Sequence, residues 1–324
     1  MPSSQAIQRT RSRFARSARR AYTLVVVAFA AIPANAQLTP ESATGSDEGL
    51  PLWEFGVGGA LVSTPDYPAA SGSTVRGAPL PVVIYRGKFL RVGDGSLAAG
   101  RLFESDRLEL DLSVNGSFDA NSDDVAVRNG MPDLGWAFEV GPELEWLIFA
   151  PETERRRLKL ELPLRAAFSA DDGRLNPRGF VFSPQLEYEH EFADGRYELS
   201  FTLTPSIATR KLHDYFFTVD PQFETANRRQ YQARGGYLQT SLGVGLQRRG
   251  EKSFAAIGIS YVSFSGGANQ DSPLFVRDDG WRLGVFFVRR LWQSERRVKR
   301  PVPDLTESEP QSTIDTDDTA SDTP

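Results

Sequence analysis

Ten carboxylates recur at even spacings in five neighbouring segments: Glu109 and Asp111; Glu139, Glu143 and Glu145; Glu161; Glu187, Glu189 and Glu191; and Glu198. A spacing of two places side chains on one face of a strand, so adjacent strands would gather these acids into one wall. Two chemistries fit such a wall. A pore lined by carboxylates attracts cations and selects them. A filled barrel interior is polar as well, and there Arg101, Lys159, Arg165, Arg282 and Arg290 would pair with the acids and occupy the space. The second reading is preferred because it asks nothing special of the interior.

The two histidines, His190 and His213, invite acid–base or nucleophilic chemistry with a Ser or Asp partner. His190 falls among outward-facing residues near one rim, whereas His213-Asp214-Tyr215 falls in the longest loop at the other, so they cannot share a site. A loop-ordering hydrogen bond is the expected role of His213, and no catalytic residue is assigned. Zero Cys and two separated His argue against zinc. Asp119, Asp123, Asp124 and Asp133 offer oxygen ligands of the kind calcium takes. They lack EF-hand spacing, and Asx-turns that shape the loop are the better expectation. The glycines of GPELE and GGALV precede no helix, so they are not phosphate loops. They are expected at bends or close strand contacts, and no cofactor or metal is expected.

The elements that must position these groups are legible from residue 107 onward. Leu108, Leu110, Leu112, Val114 and Phe118 alternate with polar residues, giving one apolar and one polar strand face over the length of a tilted membrane strand, about 9–11 residues. The same pattern predicts twelve strands: 53–62, 79–86, 88–93, 96–103, 107–118, 136–149, 157–168, 179–192, 196–209, 236–248, 253–264 and 281–292. Glycines interrupt the third and fourth. The connections alternate in length. Short turns fall at 86–88, 104–106, 150–156, 193–195 and 249–252, and long loops at 63–78, 119–135, 169–178, 210–235 and 265–280. Short turns on one side and long loops on the other are the habit of outer-membrane barrels. Aromatic residues near strand ends (Trp53, Trp136, Trp146, Tyr188, Phe192, Tyr197, Tyr237, Trp281) suit the two interfacial girdles. The expected fold is therefore all-β, a transmembrane antiparallel β-barrel of about twelve strands over residues 53–292, in contact with outer-membrane lipid. The competing soluble sandwich would use strands of about 5–6 residues.

Flanking segments complete the plan. Six arginines up to Arg20, an apolar run from Leu24 to Ile32, and small residues before Gln37 read as a cleaved signal peptide, residues 1–36. Residues 37–52 read as a flexible periplasmic lead-in and 293–324 as a disordered acidic tail carrying a basic knot from Arg296 to Arg300. Removing the six leader arginines from 37 basic residues leaves 31 against 42 acidic ones, a net of −11. That balance argues against nucleic acid as a partner.

Several short segments resemble one family. They are Pro65-Asp66-Tyr67-Pro68, PLPVVIYRGKFLRV from Pro79 to Val92, DRLELDLSVNGSF from Asp106, and Ser122-Asp123-Asp124. Further on come Arg128-Asn129-Gly130-Met131-Pro132-Asp133-Leu134, Glu139-Val140-Gly141-Pro142, His213-Asp214-Tyr215-Phe216-Phe217, Tyr231, Gly235-Gly236-Tyr237 and Asp271-Ser272-Pro273-Leu274. In this order they resemble the MltA-interacting protein (MipA) and OmpV family of outer-membrane proteins. The resemblance implies a non-enzymatic outer-membrane barrel in a Gram-negative cell. For the founding members it implies a scaffold joining a lytic murein transglycosylase to a peptidoglycan synthase; other members are similar to porins or adhesins. The loop from Asp119 to Gly135 would lie outside the cell, and folding over the barrel mouth is its expected role.

Overall fold

The computed structural model describes residues 50–86, 91–92, 103–105, 107–117, 119–151, 155–171 and 173–298. The expected signal peptide, most of the expected lead-in and most of the expected tail lie outside the described residues, as do residues 88–90 and 93 of the predicted third strand and 96–102 of the fourth.

Alternating residues build long antiparallel strands: β1 (Leu50–Pro51), β2 (Trp53–Pro65), β3 (Ser73–Arg86), β4 (Arg91–Val92), β5 (Phe103–Glu104), β6 (Leu108–Ser117), β7 (Trp136–Phe149), β8 (Arg156–Asp171), β9 (Arg174–Phe182), β10 (Gln185–Phe192), β11 (Tyr197–Ala208), β12 (Gly236–Arg249), β13 (Ser253–Ser263), β14 (Asp279–Gln293) and β15 (Arg297–Val298). One helix, α1 (Arg210–Phe217), lies between β11 and β12. The main sheet is a meander in which each long strand pairs with its sequence neighbour, and β2, its first long strand, pairs antiparallel with β14, its last. The path ends at β4 and β5, and residues 93–102 between them lie outside the described residues. Strands from all round this path (β2, β3, β6–β9, β11, β12 and β14) line one cavity, so the sheet is curled about an interior.

The period of two sorts the faces. On β8, Lys159, Glu161, Arg165, Ala167 and Ser169 are buried while Leu164 is 50 % exposed. On β14, Phe286 and Val288 are buried while Trp281, Leu283, Val285 and Phe287 are exposed. The outer face therefore carries a continuous apolar band, with Trp53, Trp146, Phe192 and Trp292 exposed at its short-turn end and Trp136 and Trp281 at its long-loop end. Two glycines permit tight strand contact: a Cβ on Gly58 would meet the Phe287 carbonyl oxygen at 2.1 Å, and one on Gly141 the Leu164 carbonyl oxygen at 2.0 Å.

Several boundaries differ from the sequence reading, each for a local reason. The long loop expected at 169–178 is a hairpin, because β8 reaches Asp171 and β9 starts at Arg174. Its alternation is carried by polar residues: Arg178 donates to Ser169 Oγ (2.7 Å) and Asp171 Oδ2 (2.6 Å), a pattern invisible to an apolar period. The strand expected at 179–192 is two pieces with a break at Ser183-Pro184, where proline has no N–H for the ladder. The loop expected at 63–78 shrinks to the residues between Pro65 and Ser73. The loop at 210–235 contains α1, eight residues too short to show a clear helical period. Leu50–Pro51 pairs with Arg297–Val298, so parts of the expected lead-in and tail form a small ladder at the short-turn end.

Candidate functional site

All ten carboxylates of the acidic wall belong to β6, β7, β8, β10 or β11 and share the inner parity. Register places like charges opposite one another, Glu109 against Glu145 and Asp111 against Glu143, an arrangement that destabilises a sheet unless cations intervene. They do. Lys159 Nζ lies 3.2 Å from Glu189 and 3.8 Å from Glu145. Arg165 lies 2.7 Å from Glu143 and donates also to Ser113 Oγ (2.6 and 2.9 Å). Arg157 contacts Glu189, Glu191 and Glu198 at 3.0, 2.7 and 3.5 Å. Arg249 contacts Glu198 and Glu191 at 2.8 and 3.7 Å, and Gln247 donates to Glu198 at 2.9 Å. Glu161 accepts from Gln185 Nε2 (3.0 Å), Glu187 is 1 % exposed, and Arg290 closes on Glu54 at 2.8 Å. Arg157 and Arg249 were not read as wall residues from the sequence. Arg157 shares the parity of Lys159, which is the signal for it, whereas Arg249 falls in the short turn expected at 249–252. Arg101 lies outside the described residues.

Above the wall the long loops do not stand free. Tyr67, Ala69 and Ala70 from the β2–β3 connection join Ala120, Val125 and Leu134 from β6–β7, Phe217, Val219 and Ala233 from β11–β12, and Phe264 and Leu274 from β13–β14 in one buried apolar cluster. This cap is tied by buried polar groups. Arg128, 4 % exposed, donates to Ser122 Oγ (3.2 Å) and to the carbonyls of Pro132 (3.1 Å) and Phe216 (3.3 Å). The Asp133 carboxylate accepts from Ser122 N–H (2.8 Å), and Asn121 forms an Asx-turn by accepting from Asp123 N–H (3.1 Å). Asp124 sits in the same short 3₁₀ turn. Gly130 takes φ +79° where Met131 N–H returns to the Arg128 carbonyl, and Met131 packs against the cluster. Tyr67 O–H donates to the Leu274 carbonyl at 2.6 Å, and burial raises its pKa.

His213 is 1 % exposed and fully satisfied as a neutral imidazole: Asn269 Nδ2 donates to Nδ1 (2.9 Å), which leaves Nε2–H to donate to the Gly236 carbonyl (3.0 Å). Burial lowers its pKa. Asp214 accepts from Thr218 Oγ1 at 2.9 Å. Tyr215 O–H donates to Asp171 Oδ1 (2.9 Å), its ring lies 4.1 Å beneath the Arg178 guanidinium, and Gly135 N–H donates to the same Asp171 oxygen (3.0 Å).

A family model described as MltA-interacting protein MipA matches residues 57–291. The chain belongs to the MipA family. Membership places it in the outer membrane of a Gram-negative bacterium. No curated protein matches the chain. Among solved structures, it is similar to an outer-membrane channel from Pseudomonas putida F1 at 14 % identity and a TM-score of 0.44, over 76 % of this chain and 99 % of that one. It is similar to a bacterial polysaccharide outer-membrane secretin at 11 % identity and 0.38, over 74 % and 99 %. A third is the outer-membrane protease OmpT from Escherichia coli, at 8 % and 0.27, over 78 % and 98 %.

The cap of this MipA-family chain also rests on residues the sequence did not advertise. Asn269, 1 % exposed, serves His213 and the Arg234 carbonyl (2.8 Å) as donor, and accepts from Tyr231 O–H (3.1 Å) and Arg234 N–H (2.8 Å). Arg228, also buried, donates to the carbonyls of Phe223, Val127 and Asn129 at 2.9–3.0 Å, joining two loops. An Asn or Arg in a polar loop carries no period, so only the fold reveals either one.

Proposed function

We propose that the chain is a closed, plugged outer-membrane barrel and a non-enzymatic scaffold for cell-wall enzymes. The apolar outer band would meet lipid, and the capped end would face outward. The observation that carries this reading is the single apolar cluster that four long loops build over one mouth. Such a cluster would obstruct a solute path, and the ion pairs of the wall lie buried beneath it. The family description names an interaction with MltA, which supports a lytic murein transglycosylase as partner, with a peptidoglycan synthase beside it. Docking would use the periplasmic turns, 150–156 in particular, and the basic segment from Arg296. The test is a pull-down from detergent-solubilised Gram-negative envelope with the full chain as bait. Recovery of a lytic transglycosylase is expected, and loss of that recovery on deleting residues 299–324 would assign the tail to the contact. Absence of murein enzymes from full-length and truncated baits alike would overturn the scaffold.

A further inference from the structure

Between the cap and the ion-paired wall lies a cavity of about 160 Å³. Its two halves differ. The α1 side contributes Leu212 and Phe216 beside Tyr215, while the strands below carry Asn115, Glu139, Gln239 and Arg282; the other two charged residues of the lining are engaged, Asp66 as acceptor from Thr74 Oγ1 and Arg76 as donor to the Asp119 carbonyl. Glu139 stands on β7 and Arg282 on β14, strands that are not neighbours in the sheet. Each is steadied by an amide from a second strand: Asn115 Nδ2 donates to Glu139 Oε2 (3.4 Å), and Arg282 Nη2 donates to Gln239 Oε1 (3.2 Å). Among the described residues they form no direct ion pair, unlike Glu143 with Arg165 or Glu198 with Arg249 deeper in the wall. A carboxylate and a guanidinium held apart in a partly apolar cavity each keep bonding capacity directed inward.

We propose that this cavity binds a small zwitterion, a free α-amino acid with an apolar side chain, whose ammonium meets Glu139, whose carboxylate meets Arg282, and whose side chain lies under Leu212 and Phe216. The size agrees, since a cavity of roughly 150 Å³ accommodates a benzene-sized molecule. This site is independent of whether the barrel docks murein enzymes.

The probe is L-leucine, titrated calorimetrically into the full chain in detergent micelles beside isopentylamine and 4-methylpentanoate, each of which lacks one of the two charges. L-leucine is expected to bind, and each single-charge analogue to bind about tenfold or more weakly, the worth of one charge-assisted hydrogen bond. Glu139→Gln should weaken L-leucine by a similar factor and erase the preference over 4-methylpentanoate. Arg282→Gln should erase the preference over isopentylamine. Arg282→Lys keeps the charge and should retain that preference, even if the glutamine variant folds poorly. No heat of binding for L-leucine at millimolar concentration, or unchanged discrimination in Glu139→Gln and Arg282→Gln chains that keep the wild-type circular dichroism, would overturn the site, as would loss of the preference over isopentylamine in a folded Arg282→Lys chain.

Discussion

The wall and the cap solve the same problem, filling the inside of a curled sheet, with opposite chemistry. The wall uses charges on strands: Lys159, Arg157, Arg165 and Arg249 cross from strand to strand to meet carboxylates. The cap uses an apolar cluster on loops, of the kind expected in a soluble domain, with Arg128, His213 and Asn269 satisfying the carbonyls that irregular backbone leaves over. Strand backbone is already paired in its ladder, so wall side chains are free to pair with one another. Loop backbone is not, so cap side chains must serve it first. The wall should therefore respond to loss of a charge, and the cap to loss of volume or of a backbone partner.

The largest effect is expected from Lys159→Met, which removes the cation of Glu145 and leaves Glu189 with Arg157 alone. Breaking a buried pair from one side costs about 3–5 kcal/mol. The urea midpoint of the refolded barrel should fall accordingly, and adding Glu189→Gln should recover part of the loss. If Lys159→Met unfolds only the loops, the division between wall and cap is wrong.

Leu274→Ala probes the other region. Leu274 is fully buried in the cap, and truncation of such a side chain costs about 2–5 kcal/mol. The loss should appear as faster proteolysis of residues 210–235 with the strand signal in circular dichroism unchanged, because the cluster is made by loops.

A subtler separation uses pH. His213 is buried neutral with its pKa lowered, so the unfolded loop binds a proton more readily than the folded one. The cap should hold constant protection above the ordinary histidine value of about 6.5, lose protection as pH falls below it, and level off once pH passes below the folded value. Hydrogen exchange at residues 210–217 reads this directly. A His213→Gln chain that kept the acid-dependent loss would assign it to another group.

Smallest of all is Asp271→Ala. Its contact with Arg234 is 3.8 Å, and both side chains are at least 70 % exposed. A pair of this kind contributes about 1 kcal/mol or less, so the proteolysis rate of the cap should not change measurably.

The same contrast explains what could be read in advance. The wall follows from period two: Glu139, Glu161, Glu189 and Glu198 declare their face by spacing alone, and register only adds which cation meets which acid. The cap has no period. Tyr67, Leu134, Phe217 and Leu274 arrive singly from four connections, so their meeting depends on the sheet that gathers the loops. Motif residues such as Arg128 and Tyr215 stood out only through family resemblance, whereas Asn269 and Arg228 gave no signal. The β8–β9 hairpin was hidden for a related reason, because Ser169, Asp171 and Arg178 alternate in a polar register that an apolar count passes over.

Whether the cap stops the barrel can be measured as planar-bilayer conductance of the full chain beside Leu274→Ala. A plugged barrel predicts a silent wild-type baseline, with openings appearing in the variant as the loops loosen. A steady, cation-selective current through the wild-type protein, unchanged by Leu274→Ala, would contradict it and make the acidic wall the lining of a pore.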